Sequence, residues 1–75
     1  MSHAVRNRIR ELRAVSGDMT QQALADRIGV TRQTVIAIEL GKYSPSLEMA
    51  FRIARVFGVP LDDVFQYPDE HEGQG

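Results

Sequence analysis

The 75-residue sequence contains no cysteine and no long apolar run. Without cysteine the chain can form neither a disulfide nor a thiolate metal site. Without a run of about 20 apolar residues it cannot cross a bilayer as a helix, and its arginine-rich N-terminus lacks the apolar stretch of a signal peptide. We therefore expect a cytoplasmic protein with no metal, no cofactor and no membrane partner.

The chain is also short, which limits its stability. Seventy-five residues are enough for one domain. A single core of this size usually supplies only about 3–5 kcal/mol. Because disulfides and thiolate metal sites are excluded, dimerisation is the natural source of further burial.

The net charge of −1 hides an uneven distribution. All nine lysine and arginine residues precede residue 56, together with five of the ten acids, and the other five acids follow without a base. A basic body with an acidic tail is compatible with nucleic-acid binding. An imbalance of this size also occurs on ordinary solvated surfaces, so the charge alone leaves the choice open.

Residues suited to catalysis are scarce. The two histidines, His3 and His71, lie near the two ends of the chain, where we expect disorder. No nucleophile–base arrangement and no phosphate-binding glycine loop occurs in the sequence. The sequence therefore predicts that the protein is not an enzyme.

Apolar spacing predicts an all-α fold of five short helices. Threonines and serines suited to N-capping, and glycines suited to ending helices, place them at about 4–15, 20–29, 31–41, 44–57 and 60–65. Helices 2 and 3 are joined by Ile28-Gly29-Val30, and two short helices joined by a glycine turn form a helix-turn-helix. We assign residues 1–67 to this domain and residues 68–75 to an acidic tail that we expect to be disordered.

The segment from Met19 to Val35, Met-Thr-Gln-Gln-Ala-Leu-Ala-Asp-Arg-Ile-Gly-Val-Thr-Arg-Gln-Thr-Val, resembles the Xre/Cro/repressor helix-turn-helix proteins of bacteria, archaea and their phages. Further matching pieces follow in register: Ile38-Glu39, Gly41-Lys42-Tyr43, Pro45-Ser46-Leu47 and Phe57-Gly58-Val59. The resemblance covers about residues 7–65. It implies a lambda-repressor-like domain that binds double-stranded DNA and regulates transcription.

The resemblance also implies roles for individual residues. Gln21 matches a glutamine that touches a DNA phosphate and braces the recognition helix, which is helix 3. Arg13 and Glu39 match an ion pair that ties helix 1 to the end of helix 3. The other matches are the first turn of the recognition helix, at Thr31, Arg32, Gln33 and Thr34, and two residues that contact the DNA backbone, Lys42 and Tyr43. The chain departs from the family in a longer link at 16–18 and in apolar Ile36 and Leu40 on the outer face of helix 3.

The residues of helix 3 suggest how bases are read. A major groove accepts an α-helix whose N-terminal residues reach base edges. Arg32 can bind a guanine or a phosphate, and Gln33 can pair with adenine. Ile36 and Ala37 can pack on thymine methyl groups, so we expect thymine near the middle of each half-site. Thr31 is expected at a phosphate and Thr34 at a base.

Helix 4 carries more apolar residues than one face needs. We expect its core-facing arc to hold Leu47, Ala50, Phe51, Ile53, Ala54 and Phe57. Apolar residues outside this arc and on helix 5 predict a dimer interface at Met49, Val56, Val64 and Phe65. A more deeply buried helix 4 explains Val56 equally well.

The favoured function is a dimeric, sequence-specific regulator, acting as a repressor on a two-fold symmetric operator. One alternative is an antitoxin-like module that binds a toxin through Ile36 and Leu40. Another is a controller protein of a restriction–modification system. A neighbouring toxin or nuclease gene would favour these alternatives.

Overall fold

The computed structural model describes residues 5–67. The predicted tail at 68–75 lies outside the described residues, as do His3 and His71. Five helices follow one another: α1 (Ile9–Val15), α2 (Gln21–Ile28), α3 (Arg32–Glu39), α4 (Leu47–Phe57) and α5 (Leu61–Val64). The predicted class of five short helices is confirmed. None of the helices within residues 5–67 is long and apolar enough to cross a membrane.

A small strand pair accompanies the helices and was not predicted. Strand β1 (Arg6–Asn7) pairs antiparallel with β2 (Phe65–Gln66), with Arg6 opposite Gln66 and Asn7 opposite Phe65. The ladder is extended by the Arg8 N–H, which donates to the Val64 carbonyl at 2.9 Å. Helix α1 therefore begins at Ile9 and not at Ala4, because the residues before it pair with the other end of the domain.

Side-chain caps set where three helices begin. Thr20, Thr31 and Ser46 precede α2, α3 and α4, and each side-chain oxygen accepts a backbone N–H from three residues ahead, at 2.9, 3.2 and 3.1 Å. Such a bond satisfies one of the amide groups that a helix leaves without a partner at its start. The expected threonine caps are present, and Ser46 caps α4.

The turn between α2 and α3 depends on Gly29. Its φ of +79° lies in the left-handed region, which a residue without Cβ adopts at little cost. The N–H groups of Gly29 and Val30 both donate to the Ala25 carbonyl, at 2.8 and 3.0 Å. The chain thereby leaves α2 and reaches the Thr31 cap of α3 within three residues.

One hydrophobic core joins all five helices. It is formed by Ile9, Leu24, Ala25, Ile28, Val35, Ile38, Ile53, Ala54 and Val64. Val64, predicted in the dimer interface, has 0% of its surface exposed. The Val64 side chain is enclosed by the core of its own domain and cannot contact a partner. The prediction that Val64 belongs to a dimer interface is therefore wrong.

Helix α4 faces the core with a different arc from the predicted one. Met49 and Val56 pack against the core, whereas Leu47 and Phe51 are 67% and 50% exposed. At 3.6 residues per turn, Met49 and Val56 lie within about 60° of the fully buried Ile53, whereas Phe51 lies about 160° away. The predicted arc was too wide, and its outer members face outward.

Candidate nucleic-acid interface

The first turn of α3 projects from the domain surface. Arg32 and Gln33 are exposed, whereas Val35 and Ile38 on the opposite side of the helix are fully buried. Ile36 and Ala37 are half-buried and follow on the outer side. The helix is thus held from behind by the core and presents its N-terminal residues outward, in the orientation that a recognition helix requires.

The two threonines of this turn are bonded to each other. The Thr31 hydroxyl accepts the Thr34 N–H at 3.2 Å, and the two hydroxyl oxygens lie 3.0 Å apart. Thr31 is exposed and Thr34 is half-buried. Because a hydroxyl has one hydrogen and two lone pairs, this pair keeps capacity for a further polar partner while it fixes the start of α3.

The predicted backbone-contacting residues follow the other end of α3. The Lys42 N–H donates to the Ala37 carbonyl at 2.9 Å, so the chain turns sharply just after the helix. Both Lys42 and Tyr43 are exposed. Tyr43 also lines a shallow surface depression together with Thr31, Gln33, Thr34 and Ala37, so Tyr43 and the first turn of α3 belong to one continuous surface.

An open cleft on the other side of α3 contains further basic residues. Arg10, Arg13 and Arg32 line it, with Gln21 and Gln22 from the first turn of α2. The amide groups at the start of a helix attract anions, so arginines beside such a helix end suit a phosphate. Gln22 was not predicted, because its position in the cleft depends on the packing of α1 against α2 and α3.

The charge of this surface varies along α1. Arg8, at the beginning of the helix, donates to Glu11 at 2.9 Å, and this bond raises the pKa of the Arg8 guanidinium above its ordinary value. The positive charge of Arg8 is therefore balanced by its own neighbour. Arg10 lines the cleft and is available to add positive charge beside Arg32.

Arg13 and Glu39 form a bidentate ion pair between α1 and α3. Arg13 Nε lies 2.7 Å from Glu39 Oε2, and Nη2 lies 3.2 Å from Oε1. The side chains are only 15% and 9% exposed. Arg13 Nη1 also donates to the Met19 carbonyl at 2.9 Å, so the pair spans the longer link between α1 and α2.

Gln21 joins this ion pair from the start of α2. Its Nε2 donates to Glu39 Oε1 at 3.2 Å. A side-chain amide nitrogen carries two hydrogens, so one remains for an acceptor in the cleft. The geometry therefore lets Gln21 brace α3 and bind a phosphate at the same time.

These features define the class of the protein as a helix-turn-helix DNA-binding protein. A helix-turn-helix family model matches residues 9–64. The chain therefore belongs to this family of Cro/C1-type transcriptional regulators, which groups it with DNA-binding regulators and not with enzymes.

Individual relatives agree with this assignment. An HTH-type transcriptional regulator of Methanocaldococcus jannaschii is 50% identical over 66 residues, covering 88% of this chain and 98% of that protein. The phage CTXphi transcriptional repressor RstR of Vibrio cholerae is 40% identical over 58 residues, covering 77% of this chain and 51% of that protein. A solved structure of a hypothetical transcription factor from Neisseria has a TM-score of 0.68 at 25% identity, covering 89% of this chain and 76% of that one.

Proposed function

We propose that the protein binds a two-fold symmetric operator as a homodimer in the cytoplasm and represses transcription. The observation that carries this proposal is the exposed first turn of α3, where Arg32 and Gln33 project from a helix whose far side is fully buried. A helix held in this way can enter the major groove without rearrangement of the domain.

The base contacts follow from the chemistry of the outer face of α3. Arg32 donates to the two acceptors of a guanine, and Gln33 pairs with an adenine. Thr34 adds a hydroxyl contact to a neighbouring base. Ile36 and Ala37 pack on thymine methyl groups, and each half-site therefore includes thymine near its middle.

Phosphate contacts on both sides of α3 fix its register on the duplex. Gln21 and Arg10 hold one strand from the cleft, and Thr31, Lys42 and Tyr43 hold the DNA backbone on the other side. Contacts of this kind position a protein on DNA but carry no sequence information. They supply the salt-dependent share of the affinity.

Dimerisation is supported by a surface that we call the apolar face. It consists of Leu47 and Phe51 on α4 together with Phe65 and Tyr67 after α5, and Tyr67 is 63% exposed. The predicted interface residues Met49, Val56 and Phe65 are all partly buried and pack against the core. Phe65 also lines a surface depression together with Leu47 and Tyr67, and it is therefore the one that we include in the apolar face. Large apolar side chains exposed together on a small domain favour burial against a second copy.

Repression is supported by the relative RstR, which is named a transcriptional repressor.

The experiment that tests the whole proposal is selection from a randomised duplex pool at physiological salt, followed by sequencing of the retained DNA. We expect two inverted half-sites about 10–10.5 base pairs apart, centre to centre, or a multiple of that spacing. A double variant, Arg32→Ala with Gln33→Ala, is the control and should retain no motif. An unenriched pool with the unaltered protein would contradict the proposal.

A second function is favoured by one observation. Leu40, at the end of α3, is 65% exposed and lines the cleft beside the half-buried Ile36. An antitoxin-like module would bind a toxin through these two residues. Binding of a purified toxin encoded by a neighbouring gene, lost in Leu40→Gln while operator binding persists, would support this second function. A controller protein of a restriction–modification system would instead select an operator beside a nuclease gene.

A further inference from the structure

Asn7 connects three elements through one side chain. Its Nδ2 donates to the Ile38 carbonyl at 3.0 Å and lies 3.4 Å from the Glu39 carbonyl. Its Oδ1 accepts the Ile9 N–H at 3.1 Å, at the start of α1. Its backbone pairs with Phe65 in the strand ladder. These partners fix the orientation of the amide, because the Ile38 carbonyl requires a donor and the Ile9 N–H requires an acceptor.

The carbonyls that Asn7 contacts belong to the last turn of the recognition helix. The final carbonyls of a helix have no partner within the helix itself, and that of Ile38 accepts the Gly41 N–H at 3.0 Å in addition to the Asn7 amide. Glu39 is thereby held twice: Asn7 approaches its backbone, and Arg13 and Gln21 bind its carboxylate. The end of α3 is therefore anchored by α1, by α2 and by the strand pair, while its beginning remains exposed.

Anchoring at one end controls the position of the other. Arg32 and Glu39 are seven residues apart, and a rise of 1.5 Å per residue puts them about 10 Å apart along the helix. A tilt of about 10° at the anchored end moves the first turn by about 2 Å. A displacement of this size breaks hydrogen bonds to base edges, since their donor–acceptor distances vary by only about 0.5 Å.

We propose that Asn7 is a positioning residue that sets the tilt of the recognition helix and thereby the sequence discrimination of the protein. Its effect on discrimination rests on the proposed function, whereas its effect on the tilt does not. Phosphate-only binding is less sensitive to the tilt, because contacts to the DNA backbone are shared by residues on both sides of α3 and outside it.

Two substitutions each remove the contact of Asn7 with α3 and keep its contact with the start of α1. In Asn7→Ser the hydroxyl can still accept the Ile9 N–H, as serine does in turns of this kind, but it is too short to reach α3. In Asn7→Asp the size and the acceptor are kept, while the carboxylate replaces the donor and faces two carbonyl oxygens. The matched control is Ile53→Val, which weakens the core on α4 and keeps the side-chain hydrogen bonds at the end of α3.

The first measurement is made without DNA. Residual dipolar couplings of backbone amides give the angle between α2 and α3 in the full chain. We expect Asn7→Ser and Asn7→Asp to rotate α3 by several degrees, with the larger change in Asn7→Asp, and Ile53→Val to leave the angle unchanged. An unchanged angle in both Asn7 variants would overturn the proposal, whatever the DNA measurements give.

The second measurement compares the selected operator with a random duplex of equal length, at one salt concentration and well below the unfolding temperature of every variant. The ratio of the two affinities should fall about five- to tenfold in Asn7→Ser, the loss expected for one hydrogen bond, and stay constant in Ile53→Val. Equal losses on both duplexes would make Asn7 a purely structural residue and overturn the proposal. If the unaltered protein selects no operator, the proposed function fails, and the angle measurement alone decides the role of Asn7.

Discussion

Arg32 and Lys42 are both exposed basic side chains, but they flank opposite ends of α3. Arg32→Ala should weaken operator binding by about 1–3 kcal/mol and relax the preference at one base pair in each half-site. Lys42→Ala should weaken binding to all sequences alike and reduce the slope of log affinity against log salt by about 1 per lost phosphate contact. Titration of operator and random duplexes across a salt series measures both effects.

The two substitutions serve as controls for each other, because each removes one positive charge. A change of the preferred sequence in Lys42→Ala would contradict the role of Lys42 as a contact to the DNA backbone. Arg32→Ala that leaves the preference intact would mean that the guanidinium binds a phosphate and not a base.

Glu39 is the residue on which three side-chain bonds from α1 and α2 converge. Glu39→Gln keeps the size but removes the charge, leaving the largely buried Arg13 without its counter-ion. The free energy of unfolding should fall by about 1–3 kcal/mol, the cost of removing a partner from a charged, poorly hydrated group. Urea unfolding followed by circular dichroism measures this loss.

The matched control is Glu48→Gln, which breaks the exposed pair between Glu48 and Arg52 on α4. Both of these side chains are mostly in water, so the loss should be much smaller. Similar losses in the two variants would show that the shielded position of Glu39 adds nothing to the stability of the fold.

At the scale of elements, α3 and α4 begin with equivalent side-chain caps, Thr31 and Ser46. Of these two caps, Thr31 lies on the proposed DNA-binding surface and Ser46 does not. Thr31→Ala and Ser46→Ala should each lower the free energy of unfolding by about 1 kcal/mol, because each leaves one amide of the first turn without its acceptor. Only Thr31→Ala should also weaken DNA binding, since Thr31 lies beside Arg32 and Gln33. Thermal unfolding and operator titration of the two variants test this prediction. Equal operator affinity in both would contradict a DNA-facing role for Thr31, and Thr31→Ser should restore both properties.

The helices could be predicted from sequence because their signals are local. Capping residues, glycines and apolar spacing mark the helix ends within a few residues, and Gly29 defines the turn between α2 and α3. The strand pair could not be predicted in this way. It joins residues about 60 positions apart, and two-residue strands are too short to show an alternating pattern. The early start predicted for α1 was wrong for the same reason.

In the candidate site, too, features that depend on local sequence could be predicted, and long-range contacts could not. The exposed position of Arg32 and Gln33 could be predicted, because it follows from helix geometry once the Thr31 cap is known. Asn7 was missed, because its role depends on a carbonyl contact across 31 residues. The wrong arc of α4 has a third cause: an apolar residue predicts burial only on average, and on a small domain the surplus can equally lie outside the core.

Residues 5–67 present one exposed helix of the kind that enters a major groove, the proposed recognition helix α3, and a single helix of this kind can offer few base contacts. Two helices presented by a two-fold dimer double these contacts and match half-sites on one side of the duplex. The apolar face extends over α4 and the end of the domain, and the strand pair there also contains Asn7. Dimerisation through the apolar face would therefore act on an element that also holds the recognition helix.

Phe51 is the residue of choice for testing the apolar face, because it is half exposed on the side of α4 away from Ile53. Phe51→Lys should leave the fold intact but put like charges into the dimer interface. The control is Val15→Lys, which adds the same charge at an exposed position on the last turn of α1, where a cation is compatible with the helix dipole. Sedimentation should show that Phe51→Lys stays monomeric at concentrations where the unaltered protein and Val15→Lys are dimers.

The same variants separate dimerisation from DNA contact. Added lysine does not reduce the general attraction to DNA, so weaker operator binding by Phe51→Lys reports the lost partner. On a single half-site, Phe51→Lys should bind as well as the unaltered protein, whereas on the full operator it should lose the gain that a linked second half-site provides. The unaltered protein should also unfold at higher temperature as its concentration rises, and Phe51→Lys should not. A dimer that survives Phe51→Lys would place the interface elsewhere, and an unaltered protein that remains monomeric on its operator would contradict dimerisation itself.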